Sequence, residues 1–298
     1  MLMLPTSKKN RSTLAFAAAI VALVALVSML ASCATRPSAE TEADDEPTQS
    51  RGGTLGPAVD VSGTAWAEQS APLMYGTGKP ASLDWEIFRV PGKESTQYRY
   101  VQHEGREAVL AVADATGSIL RHRHRIEPAE LGRLNFSWKV PDTASGANTT
   151  LATLDDVPVR VVLAFEGDRS KFSFKNTLLN ELSRLLTGEE MPYASLVYSW
   201  SRVNKTGEVI PNDQTDRIRK LVIESGDQGY NQWRSYERDL RADYRQVFGE
   251  EPGALLSFAV FTEGERDLGP LQAWYGPLTL QPNRSAQGHA SASTAPKP

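Results

Sequence analysis

Asp155, Asp156, Arg160, Asp168, Arg238, Asp239 and Asp243 fall near the ends of the elements that the apolar pattern predicts. Two carboxyl groups drawn from Asp156, Asp168, Asp239 and Asp243 could cleave a glycosidic bond if they stood roughly 5–10 Å apart across one cleft. The same residue types equally build a buried arginine–carboxylate bridge between helix and sheet, which is the commoner use of such pairs. Aromatic side chains form a second group. Trp138, Tyr193, Tyr198, Trp200, Trp274 and Tyr275 lie in or beside predicted strands. Together with Arg160, an exposed row of them would make a platform for sugar rings, whose apolar C–H faces stack on aromatic faces. Core packing is the competing role. Tyr198 and Trp200 are two apart, so on a strand they share one face. Whether that face is inner or outer decides between the two.

Arg121-His-Arg-His-Arg125 is a third unusual run. On a strand its histidines share one face and its arginines the other. Two histidines can begin a zinc site, but zinc takes three or four protein ligands. The other histidines are His103 and His289 alone, so no metal is expected. A solvent-exposed strand with a small basic patch is the simpler reading. Gly-x-Ser-x-Gly, His-Glu-x-x-His, the Walker loop and the dinucleotide fingerprint are all missing from the sequence, and no cofactor is expected.

The elements that must position these residues read mainly as strands. Short β-branched or aromatic runs occur at 108–113, 134–140, 159–165, 194–200, 217–223, 255–261 and 273–280, with Gly, Pro, Asn and Asp between them. This predicts a mainly β fold, an antiparallel jelly-roll-like β-sandwich spanning residues 57–280. Two amphipathic helices interrupt it. In the first, Leu178, Leu179, Leu182, Leu185 and Leu186 share a face and Gly188 stops the helix. That face is expected to pack on the sandwich; a lid, a membrane-touching helix and a partner groove are its alternatives. In the second, Trp233, Tyr236, Leu240, Tyr244 and Val247 share a face, and Glu237 and Arg241 can pair across one turn.

Several spaced blocks now combine: Ala111-Val-Ala-Asp-Ala-Thr-Gly-Ser118, Trp138-Lys-Val, Asp155-Asp-Val-Pro-Val-Arg160 and Ala164-Phe-Glu-Gly-Asp168. Met191-Pro-Tyr-Ala-Ser-Leu-Val-Tyr-Ser-Trp200, Glu237-Arg-Asp-Leu-Arg-Ala-Asp-Tyr244, Phe248-Gly-Glu-Glu-Pro252 and Ala273-Trp-Tyr-Gly276 complete the set. From Trp85 to Leu280 the chain resembles the bacterial domain-of-unknown-function family numbered 3047. It departs at Thr262-Glu-Gly-Glu-Arg-Asp267, where the family pattern carries a short Asp-rich segment. The layout also resembles the jelly-roll sandwiches of carbohydrate-binding modules, the galactose-binding type most closely. That resemblance implies a fold; an activity does not follow from it.

The N-terminus carries an address. Lys8, Lys9 and Arg11 precede an apolar stretch from Leu14 to Leu30, and Leu30-Ala-Ser-Cys33 closes it. This is the plan of a secretory signal, and its end resembles the lipobox of bacterial lipoproteins. Residues 1–33 are therefore expected to be a lipoprotein signal peptide, with Cys33 acylated and anchored in the bilayer. An uncleaved membrane helix is the alternative. Ala34 in place of Asp implies sorting to the outer membrane. Residues 34–56, with Glu40, Glu42, Asp44, Asp45 and Glu46, read as a disordered acidic tether, and 281–298 as a disordered tail.

Composition bounds the rest. Cys33 is the single cysteine of 298 residues, so the domain has no disulfide. Cleavage before Cys33 removes three positive side chains and no negative ones, taking the formal charge from -4 to -7. An acidic chain without a basic stripe argues against a nucleic-acid partner. The expected function is a non-catalytic envelope module binding a saccharide or glycan, with a carboxylate-dependent hydrolase and a purely structural envelope protein as alternatives.

Overall fold

The computed structural model describes residues 61–70, 84–141, 156–264, 269–281 and 283. The signal, Cys33, the tether, Asp155, His289 and nearly all of the tail lie outside the described residues.

Thirteen strands form two sheets among the described residues. The first contains β1 (Trp85–Arg89), β4 (Gly117–Ile126), β6 (Asp156–Phe165), β7 (Ala194–Ser201), β8 (Val209–Pro211), β9 (Ile218–Ser225) and β11 (Leu255–Glu263). Its order is β1-β4-β11-β6-β7-β9-β8. The second contains β2 (Gln97–His103), β3 (Arg106–Ala113), β5 (Arg133–Lys139), β10 (Arg234–Asp239), β12 (Leu271–Tyr275) and β13 (Thr279–Gln281). Its order is β10-β5-β12-β3-β2, with β13 also on β5. The chain passes repeatedly from one sheet to the other, as jelly-roll sandwiches do. Within the strand ladders pairing is antiparallel, except that β7 and β9 run parallel.

Period-two alternation builds the core between the sheets. Val157, Val159, Val161, Leu163 and Phe165 of β6 are buried on one face and meet Leu134, Phe136 and Trp138 of β5 in the same cluster. Full burial of one such side chain is worth about 1.5–3 kcal/mol relative to exposure. One end is closed by α1 (Ala65–Gln69), capped by the Thr64 side chain. Its Trp66 is fully buried, lies 4.6 Å from the Trp85 ring and donates to the Tyr275 carbonyl.

Two elements differ from the sequence expectation. The second helix, α3 (Leu240–Phe248), starts seven residues after Trp233, and the segment before it is strand β10. Asp239 accepts hydrogen bonds from the N–H groups of Arg241 and Ala242, so the helix begins there. Tyr236 lies on β10 against Phe136 and Trp138. Glu237 consequently pairs with Arg133 on β5, and Arg241 with Glu251. The run at 273–280 is also two strands. It breaks at Gly276, whose N–H donates to the Ser137 carbonyl.

The first helix, α2 (Phe174–Thr187), ends as expected at Gly188, which is in the left-handed conformation, and has Ser173 as its N-cap. Its orientation differs from the expected one: of the five leucines, Leu179 and Leu182 are partly buried and the other three are exposed. Asn176 and Asn180 are buried, while Phe174, Leu178, Leu185 and Leu186 are exposed.

Candidate functional site

Trp138, Tyr193, Tyr198, Trp200 and Tyr275 are core residues, none more than 4 % exposed. Trp200 donates to the Gly226 carbonyl at 2.7 Å and stacks on Tyr230. Tyr275 donates to the Phe261 carbonyl and meets the Thr262 hydroxyl. Tyr193 stacks parallel to Phe172 at 5.7 Å and lies under the Arg217 guanidinium. These rings cannot present a face to a ligand unless the sheets part. Of the six predicted platform aromatics, Trp274 alone keeps part of its surface open.

The four candidate carboxylates hold separate structural posts. Asp156 pairs with Lys220. Asp168 accepts from the N–H and hydroxyl of Ser170, capping a short 3-10 turn. Asp239 caps α3. Asp243, on the buried side of the same helix, takes the Tyr198 hydroxyl at 2.6 Å and two bonds from Arg238 at 2.5 and 2.9 Å. A glycosidase acid must keep its proton near neutrality through a raised pKa. Every described carboxylate with a resolved shift is shifted the other way. In Glu263, burial would raise the pKa, but Arg160 and Lys93 outweigh it and hold the carboxyl below its ordinary value. Asp168 is lowered by the hydrogen bonds from Ser170.

The Arg121–Arg125 run is on β4, as its alternation implied, but its basic face is neutralised. Arg121 and Arg123 both reach Glu86 and Glu189, and Arg125 reaches Glu127 and Glu166. The histidine face turns inward. His122 is buried against Trp85 and Phe258, with Nδ1 2.9 Å from the Asp84 carbonyl. Burial lowers its pKa. No cluster of three or more His, Cys, Asp or Glu suited to a metal occurs among the described residues.

The open polar surface lies on the outer face of the second sheet. Because Leu134, Phe136 and Trp138 point inward, Asn135, Ser137 and Lys139 occupy the other side of β5. Ser235 and Glu237 of β10 pair with Ser137 and Asn135, and Thr279 of β13 pairs with Asn135 from the opposite edge. These residues and Pro277 line a shallow open trough of about 420 Å³. Gly276 permits it: a Cβ there would stand 2.2 Å from the Ser137 hydroxyl.

Along the same face, Trp274 is registered against Lys139. The His103 ring stacks on it at 4.3 Å and 11°. Trp233 lies 6.1 Å from His103, with the Arg106 guanidinium 5.3 Å over its ring. Glu104 turns the β2–β3 hairpin with φ 51 before Gly105 with φ 73, the left-handed pair of a two-residue turn. That turn carries Glu104 to Lys139. Its hydrogen bond with Lys139 is the main cause lowering the Glu104 pKa. Arg160 lies elsewhere, on the first sheet with Glu263 and Phe261. The structure therefore separates it from Trp274.

Asn135, Ser137, Ser235, Glu237, Thr279, His103 and Trp233 were not among the residues expected to bind a ligand. The signal for two of them was present: in Leu134-Asn-Phe-Ser-Trp-Lys139, an inward Phe136–Trp138 pair dictates an outward Asn135 and Ser137.

Among solved structures, the chain is similar to the family 11 carbohydrate-binding module of cellulosomal cellulase Lic26A-Cel5E of Clostridium thermocellum. Identity is 8 % and the TM-score 0.34, covering 67 % of this chain and 88 % of that one. A family 12 xyloglucanase from Bacillus licheniformis gives 7 % and 0.36, covering 72 % and 97 %. The xylan-binding module CBM86 from Roseburia intestinalis gives 9 % and 0.25, covering 68 % and 98 %. No curated protein matches. One family model spans most of the sandwich, residues 83–279, and by that match the chain belongs to the family described as protein of unknown function DUF3047.

Proposed function

We propose that this chain is a non-catalytic saccharide-binding module, held at the outer membrane by an acylated Cys33. The observation that carries the binding reading is the trough on the second sheet. Its walls offer an amide (Asn135), three hydroxyls (Ser137, Ser235, Thr279) and a carboxylate (Glu237). Sugar hydroxyls need such mixed donors and acceptors. The Trp274 ring farther along the face, stacked on His103 and partly exposed, supplies an apolar surface for a ring's C–H face. The hydrolase alternative loses support, because the candidate carboxylates occupy four separate structural posts.

The test is calorimetry of the full chain against a panel of envelope and environmental polysaccharides. Binding to one of them that weakens about tenfold in Trp274→Ala is expected, since one aromatic stacking contact is worth about 1 kcal/mol or more. Absence of binding across the panel, or binding indifferent to Trp274 and Asn135, overturns the proposal. The anchor is tested separately by the intact mass of the envelope-extracted chain, which should carry acyl groups on a chain beginning at Cys33.

A further inference from the structure

We infer that helix α2 docks on a lipid bilayer through its outward apolar stripe. This rests on the proposed anchorage at Cys33 and extends it to the folded domain.

The helix is amphipathic in the inverted sense. Phe174 is 86 %, Leu185 82 % and Leu178 61 % exposed. Its polar side is the buried one, and hydrogen bonds fix it there. Asn176 donates to Asp216 at 2.6 Å and accepts from the Thr215 hydroxyl at 2.7 Å. Asn180 accepts from the Met191 N–H at 2.9 Å, and the Ser183 hydroxyl donates to the Glu189 carbonyl at 3.0 Å. Rotating the helix to hide its leucines would break these bonds and strip Thr215, Asp216 and the Met191 N–H of these partners. The stripe is thus held toward the outside by its own scaffold.

Three features select lipid as the occupant. The apolar members of the stripe are phenylalanine and leucine, without the tryptophan and tyrosine that dominate protein–protein hot spots. Exposed Lys171, Lys175 and Arg184 flank it with long stems that can reach headgroups while the apolar side sinks. Glu181, which stands in the stripe between Leu178 and Leu185, has its charge paired with Arg184. Finally, 27 residues lie between Cys33 and Val61, the first described residue. Even fully extended they span no more than about 100 Å, so an acylated Cys33 keeps the helix close to the membrane. At that effective concentration, weak apolar docking is enough.

The geometry has an orienting consequence. Glu189, just after α2, pairs with Arg121 and Arg123 on the outer face of the first sheet, whereas the trough is on the outer face of the second. A domain docked through α2 turns its trough away from the bilayer.

The experiment uses the full chain in vesicles containing lipids brominated in the acyl chain. An environment-sensitive fluorophore is placed at Leu178→Cys or Leu185→Cys, with Lys205→Cys as the control beyond the far end of β7. Acylation removes the Cys33 thiol, so each introduced cysteine is a unique label site. Loss of most emission at 178 and 185, with none at 205, is expected. Unquenched emission at 178 on a chain whose mass shows acylated Cys33 overturns the docking and leaves the anchor standing. A mass without acyl groups defeats the anchor instead; the quench at 178 is then read with Cys33→Ser added, which keeps 178 the single label site on a chain held by its uncleaved signal, and still decides the docking. Shielding at 178 without quenching, with copy-to-copy crosslinks or with a bound polypeptide, also overturns it.

Discussion

Tyr198 donates its hydroxyl to Asp243 across 2.6 Å, deep beneath helix α3. The contact joins the first sheet to the helix, and Arg238 of the second sheet closes on the same carboxylate. Burial, and then the Asp243 charge, push the Tyr198 pKa up, so the phenol remains a donor. Two residues that resemble a catalytic acid and a sugar platform are thus one structural joint. Asp243→Ala should cost about 2–4 kcal/mol, somewhat under the range for a fully buried pair because Arg238 is partly exposed. Tyr198→Phe should cost about 1–2 kcal/mol. Urea unfolding of the single and double variants checks both, and the double should cost less than the sum, because the two share one bond. Full stability in Asp243→Ala would refute the structural role.

The sandwich was legible because Val157–Phe165, Leu134–Val140 and Leu255–Phe261 carry apolar side chains at strand spacing. Strand β10 was not legible. Tyr236, Leu240, Tyr244 and Val247 keep helical spacing straight through the Asp239 cap, so a strand residue extends a helical pattern by coincidence. The orientation of α2 was hidden for a different reason. Local amphipathicity says leucines inward, and the partners that reverse it (Thr215, Asp216 and Met191) lie in loops 11 to 40 residues away. The site was obscured by the same ambiguity as the platform. A strand displays two faces, and Tyr198 and Trp200 share theirs with Leu196, which is in the core.

Gly276 tests whether the trough depends on the break between β12 and β13. A methyl group there meets the Ser137 hydroxyl at 2.2 Å, and the glycine N–H is already committed to the Ser137 carbonyl. Gly276→Ala should therefore push Ser137 and Pro277 apart and cost about 1–3 kcal/mol, as overpacking does. Chemical denaturation measures the loss. Gly92→Ala also destabilises, but through its positive φ rather than through contact, since nothing lies within 4 Å of a Cβ there. A Gly276 variant as stable as the parent would show that the floor can yield.

Substitutions on the two outer faces should separate by effect. Asn135→Ala and Ser137→Ala remove groups from the trough and should weaken saccharide binding several-fold each, one lost hydrogen bond being worth about 1 kcal/mol. Arg123→Gln, on the opposite face, breaks exposed ion pairs with Glu86 and Glu189. It should change neither affinity nor, beyond about 1 kcal/mol, stability. Equal effects from both faces, read by calorimetry, would count against the trough as the binding surface.

His122 gives the domain an acid limit above the carboxylate range. Burial lowers its pKa below the ordinary value of 6.5, and the nearby His124, also lowered by burial, repels a second positive charge. The unfolded chain therefore binds protons that the folded chain refuses. Stability from this site is complete above the unfolded pKa and is lost as pH falls below about 6.5 toward the lowered folded value, at no more than about 1.4 kcal/mol per pH unit for one proton. Glu263 has the same sign but acts in a lower window, below its ordinary value of 4.5, because its own pKa is depressed from there. Thermal midpoints should thus fall between pH 7 and 5.5 before the carboxylates contribute. In His122→Phe, which keeps the packing on Trp85 and Phe258, most of that slope should disappear, while a decline below pH 4.5 remains. An unchanged slope in this variant would assign the acid sensitivity to another group.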